Sequence, residues 1–124
     1  MSAATARHRG QLVERTAETW LKRQGLKPIL RNYQCRAGEL DLVMQKGDQL
    51  VIVEVKHRRH GALVSGAESV TLSKQKKMTL TAMHLLQRHP ELSELAVRFD
   101  LVAVTGNGGD QQVEWIRDAF RPGL

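Results

Sequence analysis

A chain of 124 residues with 41% hydrophobic and 26% charged residues has the size and composition of one globular domain. It has no run of about 18–20 apolar residues, so a membrane-spanning helix is not predicted. The first ten residues lack the apolar stretch of a secretory signal. The single cysteine, Cys35, excludes an intramolecular disulfide. Together these features predict a cytoplasmic protein with no membrane partner.

The charge balance is strongly basic, with 19 lysines and arginines against 13 acidic residues and a formal net charge of +6. This excess favours a polyanionic partner, with nucleic acid as the first candidate. The alternative is a basic protein whose charge serves solubility alone. Aromatic residues make up 4% of the chain, which predicts recognition of a nucleic-acid backbone rather than a base-stacking platform.

The hydrophobic pattern predicts a single α/β domain with a mixed sheet, in the order α-β-β-β-α-β-β. Val13, Ala17 and Leu21 recur at helical spacing in the first helix. The predicted helices cover residues 10–24 and 72–88, and the predicted strands cover 29–34, 39–45, 49–57, 97–105 and 112–117. Residues 58–70 and 106–110 are predicted loops. The domain is predicted over 10–120, after a flexible basic N-terminus, 1–9, and before a C-terminal tail, 121–124.

A predicted β-hairpin brings acidic side chains together. Lys46-Gly47-Asp48 separates two apolar segments and predicts the turn. If Gly47 and Asp48 form the loop, Asp41 lies opposite Glu54, and Glu39 lies opposite Lys56. Because side chains alternate between the faces of a strand, these four are predicted to share one face. The other face is predicted to carry Leu40, Leu42, Met44, Val51, Val53 and Val55.

The opposed carboxylates predict a cation site. The β-carbons of Asp41 and Glu54 are expected about 4.5–5.5 Å apart, and like charges at that distance are destabilising without compensation. A divalent cation supplies that compensation, because a few carboxylates with water and phosphate oxygens form a typical Mg²⁺ site. Lys56 is then placed to orient an attacking water or to stabilise phosphate charge. The alternative is a cross-strand salt-bridge ladder in which Lys56 neutralises Glu39 and Glu54.

Two motifs carry a resemblance to a known family. Gly38-Glu39-Leu40-Asp41-Leu42, followed by Val53-Glu54-Val55-Lys56-His57-Arg58, resembles the bacterial YraN family. That family is distantly similar to archaeal Holliday-junction resolvases and the PD-(D/E)XK nuclease superfamily. The resemblance covers nearly the whole chain through further short matches: Gly10-x-x-x-Glu14, Arg31-Asn32-Tyr33, Ser73-Lys74-Gln75 and Arg98-Phe99-Asp100. The chain departs from the superfamily pattern at Leu40, where proline is usual.

The resemblance implies a restriction-endonuclease-like fold and a metal-dependent nuclease that hydrolyses phosphodiester bonds in DNA, including branched, Holliday-junction-like DNA. It implies that Asp41, Glu54 and Lys56 are catalytic and that Glu14, Asp41 and Glu54 bind Mg²⁺ or Mn²⁺. DNA is then favoured over RNA, and a homodimer follows by analogy with resolvases. Without the resemblance, Glu14 is interpreted as a solvated helix glutamate, and Glu18 is the more exposed alternative.

Basic and polar residues are predicted to flank the site and to bind nucleic acid through its phosphates. They are Arg58, Arg59, Lys74, Gln75 and Lys77. The alternative is that these are ordinary solvated side chains. Asp100 is either a fourth acid or, as we favour, a structural partner of Arg98. Two other functions stay open: a non-catalytic nucleic-acid-binding module that retains the nuclease fold, and a protein–protein adaptor with a vestigial site.

Overall fold

The computed structural model describes residues 3–58, 70–106, 109 and 111–122. These residues contain two helices, five strands and a short 3-10 turn after the second helix. The elements have the predicted order and form one α/β domain. In chain order they are α1 (Ala3–Arg23), β1 (Lys27–Cys35), β2 (Gly38–Lys46), β3 (Gln49–Arg58), α2 (Leu72–Arg88), the 3-10 turn (Pro90–Leu92), β4 (Ala96–Thr105) and β5 (Gln112–Phe120).

The five strands form one mixed sheet in the order β1-β2-β3-β4-β5. All neighbours are antiparallel except β3 and β4, which run parallel. Parallel neighbours require a crossover connection, and α2 lies in that connection. The sheet is therefore mixed, as predicted, with β3 at its centre.

Each face of the sheet is covered by one helix. The residues Leu50-Val51-Ile52-Val53 of β3 are all buried, as expected of a strand covered on both sides. On one face, Met78, Ala82 and Leu85 of α2 pack in one core cluster with Val43, Leu50, Ile52 and Leu101. On the other face, Val13, Ala17 and Leu21 of α1 pack with Leu42, Met44, Val51, Val53 and Val102.

The β2–β3 hairpin has the predicted register over part of its length. Leu42 pairs with Val53, and the ladder continues to Lys46 and Gln49 at the turn. Gly47, the first loop residue, has φ of 60°, which glycine adopts without steric cost. The paired ladder ends at Leu42–Val53, so the predicted cross-strand pairs of Asp41 and Glu39 lie beyond it, where the strands have separated.

Leu40 lies on the face of the sheet opposite to the one predicted, beside an irregular stretch of β1 and β2. Arg31 pairs with Leu42 and Tyr33 with Leu40, and Asn32 between them has φ of 51°. A left-handed residue breaks the regular alternation of side chains. Consequently Leu40 and Tyr33 pack on the α2 side, whereas Leu42 packs on the α1 side. The prediction that Leu40 shares the face of Leu42 was wrong.

The largest differences from the predicted elements lie at the start of α1, at the end of β5 and after α2. Helix α1 begins at Ala3, so the predicted flexible segment 1–9 is helical from that residue onward. Strand β5 continues to Phe120, past a register shift and a positive φ of 52° at Asp118. The 3-10 turn at Pro90–Leu92 was not predicted, because the His89-Pro90 stop signal does not specify how the chain continues after a helix. No helix in the described residues is long and apolar enough to cross a membrane.

Candidate active site

The carboxylate of Asp41 lies where β2 and β3 separate. Its Oδ2 accepts a hydrogen bond from the backbone N–H of Val55 at 2.9 Å. In an antiparallel ladder that N–H would be directed to a backbone carbonyl of the neighbouring strand. Asp41 therefore takes the place of the lost backbone partner, and the hydrogen bond fixes it beside β3.

Glu54 precedes Val55 and is the most deeply buried acid of the site. It is 5% exposed, and its Oε2 is buried without a hydrogen bond from any described residue. Buried polar atoms nearly always have a hydrogen-bond partner, and an orphaned one indicates an unassigned ligand or a functional role. The Oε2 atom of Glu54 therefore has an acceptor position left for a ligand, in addition to the lysine near it.

Two lysines contribute positive charge to Glu54. Lys74 Nζ lies 3.6 Å from Oε2, and Lys56 Nζ lies 4.0 Å from Oε1. Lys74 belongs to the first turn of α2, where its backbone N–H donates to the side chain of the N-cap residue Thr71 at 3.1 Å. The cap fixes the start of α2, so the sheet and the helix each direct one ammonium group to the same carboxylate.

Burial raises the pKa of both acids. Burial, followed by the charge of Asp41, raises the pKa of Glu54 to about 7, although Lys74 and Lys56 oppose the rise. Burial also raises the pKa of Asp41, opposed by the hydrogen bond from Val55 and the charge of Lys74. Near neutral pH Glu54 therefore retains a proton for part of the time. A perturbed acid pair of this kind is typical of functional sites.

Glu14 of α1 borders this pair and is held by Asn32. Asn32 Nδ2 donates to Glu14 Oε1 at 2.9 Å and to Glu39 Oε1 at 3.2 Å. Burial raises the pKa of Glu14, the hydrogen bond from Asn32 opposes the rise, and the charges of Asp41 and Glu39 add to it. Glu14 therefore lies within the electrostatic field of Asp41.

Glu18, the alternative to Glu14, was wrongly predicted to be the more exposed residue. It is 4% exposed and its carboxylate accepts hydrogen bonds from the guanidinium of Arg31. Those hydrogen bonds lower its pKa, against the effect of burial. Glu18 connects α1 to β1 and is structural.

The donor set fits a divalent cation through two carboxylates. In residues 3–58, 70–106, 109 and 111–122 no three His, Cys, Asp or Glu side chains are grouped closely enough to form a complete cage. Mg²⁺ does not require one, because it usually keeps several waters and binds one or two carboxylates together with substrate phosphates. Asp41 and Glu54, with the orphaned Oε2, suit that arrangement, whereas Glu14 lies at its border.

The other predicted site residues differ in their surroundings. Gln75 donates to the backbone carbonyl of Val70, which engages its amide locally. Arg58 is half-buried, with Nη1 3.5 Å from the carbonyl of His57. Lys77 is exposed, and Glu39 contacts Asn32. Arg59 lies outside the described residues.

Asp100 is a structural residue, as favoured from the sequence. It is fully buried and accepts hydrogen bonds from the Arg98 guanidinium, the Trp115 indole N–H and the backbone N–H of Asp118. Its carboxylate is thereby saturated. It joins the start of β4 to β5 and is not a fourth metal ligand.

Sequence reasoning missed Asn32, which ties Glu14 to Glu39. The sequence contained one signal, since asparagine is among the few residues that adopt a positive φ readily. That signal does not specify which carboxylates the amide contacts. The Val55 N–H was also missed, because a backbone donor becomes available only where the ladder ends.

Comparisons with known proteins agree over almost the whole chain. The model of the uncharacterised protein family UPF0102 matches residues 13–104. A UPF0102 protein of Nitrosococcus oceani is 40% identical over 121 residues, covering 98% of each chain. One of Saccharophagus degradans is 47% identical over 111 residues, covering 90% of this chain and 91% of the relative. One of Aeromonas hydrophila is 44% identical over 118 residues, covering 94% and 87%. The chain therefore belongs to the UPF0102 family, the YraN family that its motifs resemble.

Proposed function

We propose that this protein is a metal-dependent nuclease that hydrolyses phosphodiester bonds in DNA, including branched DNA of the Holliday-junction type. The observation that carries the proposal is the buried Oε2 of Glu54, which has no hydrogen bond among the described residues and lies beside Asp41. The alternative, a solvated salt-bridge ladder, would leave these carboxylates in water. Burying two like-charged acids is costly, and a bound cation would offset that cost, which supports the proposal.

Asp41 and Glu54 would hold Mg²⁺ or Mn²⁺, with Glu14 at the border of the site. When bound, such an ion polarises the phosphoryl oxygen and lowers the pKa of a coordinated water. The chain's own contribution is to place two hard oxygen donors at fixed positions. The hydrogen bond from Val55 orients Asp41, and burial within β3 orients Glu54.

The two lysines beside Glu54 would have different roles. Lys56 follows Glu54 on the same strand and is half-buried, which suits a donor that orients the attacking water or stabilises charge on the scissile phosphate. Lys74 is more exposed, at 41% of its side chain, which suits contact with a phosphate of the bound strand. Both ammonium groups attract a polyanion to an otherwise acidic site.

The partner we propose is DNA, with a homodimer as the acting form, since a four-way junction presents two symmetric strands for cleavage. A net charge of +6 supports a polyanionic partner. A cytoplasmic location goes with this proposal, since it gives access to bacterial DNA.

A second function is a non-catalytic nucleic-acid-binding module. It is favoured by one observation, that the described residues supply no group of three acidic, histidine or cysteine ligands. A module of this kind would retain the basic surface and bind DNA without cutting it. It would bind independently of Mg²⁺, and Lys56 would be dispensable.

Cleavage assays separate the two functions. Linear duplex, single-stranded and four-way-junction DNA are incubated with the protein in Mg²⁺, Mn²⁺ or EDTA, and the products are resolved by electrophoresis. We expect metal-dependent cutting by the wild type and by Asp48→Asn, a matched change at the exposed hairpin turn. Asp41→Asn and Lys56→Ala should not cut. Binding without metal-dependent cutting, or equal cutting by all variants, would overturn the nuclease proposal.

A further inference from the structure

A groove lies between α1 and β5, on the sheet face covered by α1. Its volume is about 480 Å³, and its walls include Leu12, Arg15, Trp20 and Arg23 of α1 and Val113 of β5. The two arginines are exposed, Leu12 is 47% exposed, and no carboxylate is among the described residues that line the groove. The groove therefore combines an open apolar surface with positive charge.

Trp20 lines this groove and is in contact with the second tryptophan of the chain, Trp115. Trp20 contacts Trp115 edge to face, with ring centroids 5.8 Å apart and planes at 84°. The Arg117 guanidinium lies 4.0 Å from the centroid of the Trp115 ring. Both indoles are half-buried, so each keeps part of its surface exposed. An aromatic content of 4% indicated no stacking platform, but folding brings the two indoles together beside arginines.

This chemistry selects for an anion that also carries flat apolar groups. Arginine forks bind phosphate in two-point geometry, and an exposed indole stacks on a nucleobase whatever its identity. A duplex buries its base faces in the helical stack, so only its phosphates would contact the groove, through the arginines. Unpaired nucleotides present phosphate and base at once, and a space of this size is in the range of small-molecule sites.

The groove is connected to the candidate active site through Arg15. That residue also lines a polar cavity of about 210 Å³ on the other flank of α1, together with Glu14 and Asn32. Arg15 therefore borders both the groove and the cavity that contains Glu14.

We propose that the α1–β5 groove binds an unpaired nucleic-acid segment, with phosphates on Arg15 and Arg23 and a base against Trp20. This inference rests on the proposed nucleic-acid function and extends it, because it specifies substrates that carry single-stranded regions. The groove is a binding subsite that takes no part in bond cleavage.

Intrinsic fluorescence tests the groove directly, because one of the two tryptophans of the chain, Trp20, lines it and the other, Trp115, contacts Trp20. Short unlabelled oligo-dT and oligo-rU are titrated into the wild type in EDTA at several salt concentrations. The EDTA prevents cleavage, and the salt series measures the phosphate contacts. We expect saturable quenching. In Arg15→Gln/Arg23→Gln binding should weaken by roughly an order of magnitude, and the salt slope should fall by about 0.7 for each phosphate contact removed. Arg88→Gln, an exposed arginine on α2, is the matched control.

Each outcome decides the inference. The groove is supported if the oligonucleotides quench the wild type, if the arginine double variant loses this quenching, and if Trp20→Leu weakens it. The melting temperatures of the variants should equal that of the wild type. If dT alone or rU alone quenches, the groove holds and its nucleic acid is DNA or RNA respectively. No quenching, quenching that the double variant retains, or equal quenching by a poly-glutamate peptide would overturn it. Because the titrations are made in EDTA and follow tryptophan fluorescence, a protein that does not cleave DNA still gives a decisive result here.

Discussion

Asp41 Oδ2 accepts the backbone N–H of Val55 at 2.9 Å, beyond the last pair of the β2–β3 ladder. The strands have separated at this point, and a side chain replaces a backbone carbonyl as the acceptor. The arrangement satisfies a donor that would otherwise lack a partner, and it fixes Asp41 next to Glu54. A structural hydrogen bond and a candidate cation ligand are therefore combined in one residue.

This double role predicts the behaviour of Asp41→Asn. The amide oxygen of asparagine still accepts from Val55, while the negative charge is lost, so the free energy of unfolding should change by less than about 1 kcal/mol. Mn²⁺ binding, measured by electron paramagnetic resonance, should weaken by at least about tenfold. Asp48→Asn should bind Mn²⁺ like the wild type. Unchanged Mn²⁺ affinity in Asp41→Asn would argue against the cation site.

Glu54 predicts an unusual dependence of stability on pH. Its pKa rises from 4.5 to about 7 on folding, because of burial and then of Asp41. The folded state therefore binds more protons than the unfolded state between these values, and its free energy of unfolding falls as pH rises through that window. The difference corresponds to on the order of 3 kcal/mol. Glu54→Gln should remove this loss and be the more stable protein at pH 8 without metal.

Urea unfolding of wild type and Glu54→Gln between pH 4.5 and 8, in EDTA, measures this effect. The same series with Mg²⁺ should show a smaller loss for the wild type, because a bound cation stabilises the ionised acids. Greater instability of Glu54→Gln at pH 8 would instead favour the salt-bridge ladder, in which Glu54 stabilises the fold through its lysines.

The two lysines are expected to contribute unequally to the state of Glu54. Lys74 Nζ lies closer to the carboxylate than Lys56 Nζ and lowers the pKa of Glu54 more. Lys74→Met should therefore raise the pKa of Glu54 further than Lys56→Met does. Carbon NMR of the glutamate carboxyl groups across a pH titration measures both, with the exposed Lys77→Met as control. A larger effect of Lys56→Met would contradict the geometry.

The sequence predicted the elements and the hairpin well because those depend on local patterns. The turn at Gly47 and Asp48 set the register of Leu42 and Val53, and helical spacing identified Val13, Ala17 and Leu21 as core. The same reasoning could not predict where the ladder ends. The positive φ of Asn32 marks an irregular stretch there, in which Leu40, but not Leu42, lies on the face opposite to the one predicted.

The candidate site was predicted in part for the same reason. Asp41, Glu54 and Lys56 follow from strand periodicity. By contrast, the contact between Lys74 and Glu54 depends on how α2 packs after a long connection, which periodicity does not encode. The burial of Glu18 depends on Arg31 in a different element. Tertiary contacts of charged side chains were thus the part that the sequence left open.

Asn32 predicts separate effects on backbone and site. Its φ of 51° suits asparagine or glycine, so Asn32→Ala should cost about 1 kcal/mol more stability than Asn32→Gly. Both variants remove the hydrogen bond that lowers the pKa of Glu14, so both should raise that pKa equally. Urea unfolding and carboxyl NMR measure the two effects. Equal stabilities would contradict the backbone argument, and an unshifted Glu14 would contradict the role of the amide.

The buried Asp100 predicts a large loss of stability that leaves cation binding intact. Arg98 is 17% exposed in its side chain and pairs with Asp100, which also accepts from Trp115 and the backbone of Asp118. Asp100→Ala would strand a largely buried guanidinium, at a cost of about 3–5 kcal/mol. Asp118→Asn is the control, because asparagine tolerates its positive φ and its ion pair with Arg121 is at the surface. Thermal melting ranks the variants, and Mn²⁺ binding is measured below the melting transition of each. A stable Asp100→Ala that fails to bind Mn²⁺ would reassign Asp100 to the metal site; an unstable one that binds normally would establish that this carboxylate serves the fold.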